Sequence, residues 1–377
     1  MRSRRTAQRW TRWTAICPIF IEMRAKTKVR SSIPTGELAL LNRIRARAGK
    51  TGGTGVRLGI GDDCALLRTQ AGEELAVTTD LSIEAQHFRL EWHPPEVVGH
   101  RALARGLSDL AAMGARPVAA FLSLGLPPEL VQNTKARSAS WQASWIARFY
   151  DGFLALAEQF KTPLAGGDLA QSPIAVADIV LIGAVRSTRA LLRSGARPGD
   201  WLYLTGKLGG AAAGLARLAE FAASASGNTS QSVGRFGLKI PHKLRSALEA
   251  HFYPQPRLAQ GLWLVKHGLA AAGLDVSDGL STDLNHLCEE SAVAAEVEAA
   301  TLPVYPGATL DQALNGGEDY ELLFAARPDS RIPRAIAGVP VTRIGRVVRR
   351  HAGKPAVTLV TKDGARPLEP RGWQHFL

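Results

Sequence analysis

Four segments of this 377-residue chain set an aspartate beside glycine or threonine after a short apolar run. They are Gly61-Asp62-Asp63, Thr78-Thr79-Asp80, Gly166-Gly167-Asp168 and Asp275-Val276-Ser277-Asp278-Gly279. Ser108-Asp109 joins them from a helical pattern, and Gly316-Gly317-Glu318-Asp319 adds another acidic glycine turn. Each apolar run reads as a strand that ends at its acidic residue, and strand ends in α/β folds are where ligands bind. Carboxylates gathered there repel one another unless a cation neutralises them, and Mg²⁺ prefers carboxylate, water and phosphate oxygens. Glycines let backbone N–H groups approach phosphate closely. The chemistry this suits is phosphoryl transfer, in which a protein mostly positions groups and neutralises charge. Gly-Asp pairs are also ordinary turn residues, so the recurrence carries the reading rather than any one pair.

The common nucleotide signatures are missing. Gly206-Lys207 is followed by Leu208, with Trp201 where a phosphate-loop glycine would stand. No G-x-G-x-x-G follows a strand, and no protein-kinase catalytic loop or G-x-S-x-G is present. The nine histidines fall in no zinc-binding spacing. An ATP enzyme built on this chain belongs to a less common fold.

The elements that must position these residues alternate. Apolar spacing predicts helices over 37–47, 97–113, 141–160, 257–267 and 282–290, and strands over 56–60, 75–79, 118–126, 174–185, 201–205, 274–276 and 320–325. The class is α/β or α+β. Length favours two domains. The turn-rich Arg193-Ser194-Gly195-Ala196-Arg197-Pro198-Gly199-Asp200 marks the junction, giving an N-terminal unit 35–188 and a C-terminal unit 189–377. Residues 222–237, rich in Ser, Ala and Gly without apolar period, read as a flexible insertion.

Hydrophobic residues make up 46% of the chain and charged residues 21%, as in soluble globular proteins. The net charge of +13 is uneven. Residues 1–34 carry nine Arg and Lys against Glu22, which accounts for +8 and leaves +5 for the rest. That body suits phosphorylated small molecules. It has no basic run interleaved with aromatics, so nucleic acid is not an expected partner. The leader reads as a disordered basic extension or as sequence upstream of a start at Met23, with an organelle transit peptide as the competing reading. No apolar stretch approaches the ~20 residues of a membrane helix. Cys17, Cys64 and Cys288 form no CxxC pair, which fits a reducing cytoplasm.

The series Gly59-Ile60-Gly61-Asp62-Asp63-Cys64-Ala65-Leu66-Leu67, Thr78-Thr79-Asp80, His87-Phe88, Leu107-Ser108-Asp109-Leu110-Ala111-Ala112-Met113-Gly114-Ala115, Gly166-Gly167-Asp168, Arg193-Ser194-Gly195-Ala196, Asp275-Val276-Ser277-Asp278-Gly279-Leu280 and Gly316-Gly317-Glu318-Asp319-Tyr320-Glu321-Leu322 resembles the thiamine-monophosphate kinase family. The likeness runs from about Gly36 to Phe376. It implies a two-domain fold like that of aminoimidazole-ribonucleotide synthetase. It also implies a homodimer whose N-terminal sheets pair, and direct γ-phosphoryl transfer from ATP to thiamine monophosphate in a cleft between domains. By that resemblance, Asp63, Thr78, Thr79, Asp80, Asp109, Asp168, Asp275 and Asp278 bind several Mg²⁺ ions, with Asp80, Asp109 and Asp168 central to catalysis. Gly167, Asp168, Arg193 and Ser277 contact ATP. His87, Glu318 and Trp373 contact thiamine monophosphate. K⁺ is an optional further ion.

Plain structural roles compete at several positions: packing for His87 and Trp373, a turn cap for Glu318, an inter-domain ion pair for Arg193. The chain departs from the family at Gly106, where Asn usually precedes Leu-Ser-Asp, and at Leu169, where Thr is common. Competing functions are a superfamily member with another substrate, a nucleotide-binding regulator without catalysis, and a nucleic-acid binder using the leader.

Overall fold

A computed structural model describes residues 37–49, 55–58, 60, 64–131, 141–226 and 240–373. The basic leader, Asp63 and most of the 222–237 segment lie outside these residues.

The first half runs α1 (Glu37–Ala48), β1 (Val56–Leu58), β2 (Leu66–Leu67), β3 (Glu73–Ile83), α2 (Pro95–Ala112), β4 (Arg116–Leu126), α3 (Pro128–Val131), α4 (Trp145–Gln159), β5 (Leu164–Gln171) and β6 (Val176–Arg186). Its main sheet has the order β3-β6-β4-β5, with β4 and β5 parallel and the other pairs antiparallel. The second half runs β7 (Trp201–Thr205), α5 (Gly210–Ser226), α6 (His242–Phe252), α7 (Leu258–His267), β8 (Ala272–Val276), α8 (Leu280–Glu290), β9 (Ala294–Glu298), α9 (Leu310–Asn315), β10 (Glu321–Ala326), β11 (Ala335–Ile336), β12 (Val339–Val348), β13 (Val357–Thr361) and β14 (Gly364–Pro367). Its sheet runs β14-β13-β9-β12-β7-β10-β8, with β11 paired to β12.

α2 is the spine between the two sheets. Pro95 sits in its first turn, where a missing N–H costs nothing. It is buried on nearly every side and packs against α4, α7 and β8. Close crossings explain three glycines. A Cβ on Gly99 would lie 1.9 Å from the Phe149 carbonyl oxygen, one on Gly152 1.8 Å from that of Glu96, and one on Gly261 1.9 Å from that of Ala111. The core around α2 continues from Leu103, Leu107 and Phe153 into Leu264, Leu322 and Phe324 of the second half. A second core, including Leu204, Leu274, Leu284 and Ile344, fills the large sheet.

Two expectations fail on the strands. Asp80 does not end a strand, because β3 pairs with β6 over eleven residues and carries on to Ile83. Asp168 likewise lies inside β5. A third fails on the insertion: 222–226 belong to α5, and Ala222 packs with Leu218, Leu248 and Phe252. An Ala-rich run is a good helix former, and this one has α6 to lean on. α6 itself, β9 and the strands from β11 onward went unread.

Candidate active site

Alternation along β3 decides which of its residues face α2. Thr78 and Asp80 point inward, and Thr79 points outward with Leu75, Val77 and Leu81. Thr78 donates a short hydrogen bond from its hydroxyl to Asp109 Oδ2 on α2. One residue earlier on α2, Ser108 donates to Asp275 Oδ2 on β8 at 2.6 Å. Thr78, Asp80, Asp109 and Asp275 therefore converge where β3, α2 and β8 meet. Burial raises the Asp80 carboxyl to about 7, and Asp109 and Asp275 push it the same way. Burial and the Asp109 charge raise Asp275 to about 7 as well. Burial also raises Asp109, against its hydrogen bond from Thr78 and the nearby Arg193 and Arg105 charges.

Asp80 also lines a cavity of about 950 Å³. His87, Ser277, Asp278, Glu318 and Trp373 open into the same cavity. His87 is set by a tight turn in which its Nδ1 accepts from the Ile83 N–H at 3.1 Å. Trp373 is brought in by the C-terminal segment lying against the β8–α8 loop. The Gly372 N–H donates to Thr282 Oγ1 at 3.0 Å, and the Trp373 N–H donates to the Asp278 carbonyl at 3.0 Å. A Cβ on Gly372 would lie 2.1 Å from that carbonyl oxygen, so the approach needs glycine. Asp283 stiffens the same loop by accepting from the Asp278 and Gly279 N–H groups.

Glu318 stands in left-handed backbone at φ 67°. Its Oε1 accepts from Arg101 at 2.7 Å and Arg105 at 3.2 Å. Burial alone would raise this carboxyl, but the two guanidinium groups outweigh it and hold the pKa well below the usual range. Behind Arg101 lies a buried chain of rings. Arg101 faces His251 Nδ1 at 3.2 Å, and His251 Nε2 meets His93 Nε2 at 3.1 Å. Arg101 can only donate, so His251 Nδ1 accepts and its Nε2 carries hydrogen. His93 Nε2 faces that hydrogen, and its Nδ1 lies 3.1 Å from the Arg89 N–H and 3.2 Å from the Arg89 carbonyl. Both imidazoles are neutral in this arrangement, and burial with the Arg101 charge lowers His93 to about 3.

Not every expected residue joins this site. Asp63 lies outside the described residues. The Thr79 side chain is on the opposite face of its strand. Gly167 and Asp168 sit on β5, three strand spacings or roughly 14 Å from β3. There Asp168 is exposed and accepts from the Leu169 N–H at 2.8 Å. Gly106 fits its place: a Cβ there would meet Leu181 Cδ1 at 2.7 Å, so the family's Asn would have to displace Leu181. The glycine-rich entry to α5 is not a phosphate cradle, because Asp319 already accepts from the Gly209 N–H at 2.6 Å and the Ala211 N–H at 3.0 Å.

Sequence reasoning missed Arg101, Arg105, His93 and His251, and it named Ser108 only as the neighbour of Asp109. Arg101, Arg105 and Asp109 recur every four residues on α2 and so share a face. That spacing was visible, but nothing in it announces which element the face meets.

Among the described residues, no three His, Cys, Asp or Glu side chains lie close enough together to cage a metal by themselves. Nor is any helix among them long and apolar enough to cross a membrane.

Residues 61–185 match the AIR synthase related protein N-terminal domain, and residues 197–358 match the corresponding C-terminal domain. The thiamine-monophosphate kinase of Salmonella typhimurium is 35% identical over 354 residues, which cover 90% of this chain and 98% of that protein. The crystal structure of thiamine-monophosphate kinase from Stenotrophomonas maltophilia is 36% identical, with a TM-score of 0.67 over 86% of this chain and 96% of that one. AaThiL complexed with AMPPCP and TMP is 28% identical, with a TM-score of 0.65 over 93% of this chain and 100% of that one. Two family models and near full-length relatives agree with the motif series and the fold, and the chain belongs to the thiamine-monophosphate kinase family of AIR synthase related proteins.

Proposed function

We propose that this chain transfers the γ-phosphoryl group of ATP to thiamine monophosphate, giving ADP and thiamine diphosphate, the last step of thiamine diphosphate biosynthesis. One observation carries the reading: Asp80, which belongs to the buried carboxylate cluster, lines the same cavity as His87, Glu318 and Trp373. One end of that site is suited to cations and phosphates. The other offers an aromatic face and a carboxylate to a cationic heterocycle.

The cluster fits Mg²⁺. Asp80 Oδ2 is buried without a hydrogen-bond partner among the described residues, and the three aspartates repel one another. Mg²⁺ is commonly held by one or two carboxylates plus substrate phosphates and waters, so a complete protein cage is not required. Thr78, Asp80, Asp109 and Asp275 would hold ions here. Asp278 would join from its loop, and Asp63, Thr79 and, from β5, Asp168 would hold further ions beyond the cluster. Bound Mg²⁺ supplies charge neutralisation for the phosphates of both substrates.

The protein's own residues position the reactants. Thr78 fixes the Asp109 carboxylate and Ser108 fixes that of Asp275. His87 and Trp373 would flank the thiamine rings, and Arg193, Ser277 and Gly167-Asp168 of β5 would contact ATP. An oxygen of the acceptor phosphate attacks the γ-phosphorus, and the bond to the β,γ-bridging oxygen breaks. The acceptor is already ionised at pH 7, with a second pKa of about 6, so no general base is needed.

The same reading makes the protein a cytoplasmic homodimer with a first domain at 35–188 and a second at 189–377, and K⁺ an optional addition. The outward face of β3 supports pairing, because Leu75, Val77 and Leu81 are 54%, 60% and 49% exposed.

The test is to incubate the protein with ATP, Mg²⁺ and thiamine monophosphate and to follow thiamine diphosphate by chromatography, with Asp80→Asn alongside. Product from wild type and a loss of orders of magnitude in the variant are expected. ATP binding without thiamine diphosphate would remove the thiamine assignment and leave the fold.

A further inference from the structure

We infer that Arg105 binds the phosphate of the acceptor and so makes the site select a phosphorylated thiamine over the free alcohol. The inference deepens the reading above and rests on it.

α2 presents Arg101, Arg105 and Asp109 at four-residue intervals on one face. Arg101 is the rear member, since its side chain is only 7% exposed and is spent on Glu318 and the His251 carbonyl. Asp109 is the front member, at the carboxylate cluster. Arg105 stands between them, one helical turn or about 6 Å from Asp109 along the axis. Unlike Arg101, it lines the cavity beside Asp80 and Glu318.

Its partners leave it poised. One terminal nitrogen donates to the Leu81 carbonyl at 2.7 Å, and the other donates to Glu318 Oε1 at 3.2 Å. The Tyr320 side chain takes a further hydrogen bond. A guanidinium has five N–H donors, so the anchored fork keeps donors to spare among the described residues. An acceptor whose rings lie between His87, Glu318 and Trp373 must reach the carboxylate cluster with its phosphate. Arg105 bonds to Glu318, its charge acts on Asp80, and it lines the cavity that both share, so it stands beside each end of that path. A planar cation held from three sides suits phosphate recognition, and it limits the entropy lost on binding.

The alternative is that Arg105 only steadies Glu318. Calorimetric titration separates the two, with thiamine monophosphate and thiamine measured in parallel on wild type, Arg105→Gln and Arg105→Lys. A non-hydrolysable ATP analogue with Mg²⁺ is titrated into the same samples to confirm an intact fold. The expected result is a loss of tenfold or more for thiamine monophosphate in Arg105→Gln, roughly what one charge-assisted hydrogen bond is worth. Thiamine binding changes less than twofold, and Arg105→Lys falls between. Equal losses for both ligands, or no loss for either, would overturn the inference. A wild type that binds the ATP analogue but does not prefer thiamine monophosphate over thiamine would sink the substrate reading itself, and the inference with it.

Discussion

Ser108 on α2 donates its hydroxyl hydrogen to Asp275 Oδ2 on β8 across 2.6 Å, and neither residue has appreciable contact with solvent. This single bond ties the central helix to the large sheet at the point where the carboxylates meet. Ser108→Ala leaves a buried carboxylate one donor short, at a cost of about 1–3 kcal/mol. The expected outcome is an earlier urea midpoint and weaker Mg²⁺ stabilisation of the variant. An unchanged midpoint with unchanged Mg²⁺ response would show that the bond matters to neither.

Asp80 and Asp109 are costly to the fold for the reason they are useful to the reaction. Burial raises both carboxyls, and the Asp109 charge pushes Asp80 further, to about 7, so the Asp80 carboxylate is ionised at pH 8 against its surroundings. Asp80→Asn removes a charge and keeps the shape. We expect the Mg²⁺-free variant to unfold later than wild type at pH 8, by about 0.5–2 kcal/mol, while kcat drops by orders of magnitude. Calorimetry without metal and a product assay with it check both halves. A variant that is both inactive and less stable would place Asp80 among structural residues.

Much of the frame was legible in the chain. The acidic glycine motifs and the helices over 97–113 and 257–267 needed only local rules. The length of β3 did not yield to them, because its extension past Asp80 depends on the distant partner β6. The bulge near Arg343 and Gly345 similarly breaks the alternation that would have marked β12. The Arg101–Glu318 pair spans 217 positions. It exists because α2 crosses under β10, a contact that no periodicity announces.

The His93–His251 pair gives a pH signature. Burial and the Arg101 charge hold both rings neutral, His93 at about 3 against about 6.5 when unfolded. A depressed folded pKa contributes stability above the unfolded value and loses it as pH falls toward the folded one. Protonating His93 also sets N–H against N–H across the 3.1 Å contact, and protonating His251 sets a new N–H against the Arg101 guanidinium. Asp80 and Asp275 act in the opposite sense, since raised carboxyl pKa values add stability as pH falls from 7 toward 4. The diagnostic quantity is therefore the difference between wild type and His93→Gln. Relative to the variant, wild type should lose about 1–3 kcal/mol between pH 7 and pH 5. Parallel unfolding curves across that range would mean the pair is not held neutral.

β3 is both an edge strand and the bearer of an exposed apolar row, a combination soluble proteins normally cover. Leu75, Val77 and Leu81 alternate along it and are 54%, 60% and 49% exposed in a single chain, so their burial contributes nothing to the fold of one copy. A charge introduced there should act on association and spare folding. Val77→Glu should weaken the dimer by tenfold or more in analytical ultracentrifugation, with thermal unfolding of the monomeric fraction unchanged. The face adjoins the strand that carries Asp80, so a fall in activity that tracks dissociation on dilution would also tie pairing to the site. Wild type that stays monomeric at tens of micromolar, or a variant that dimerises as tightly, would mean that this face is not where two copies meet.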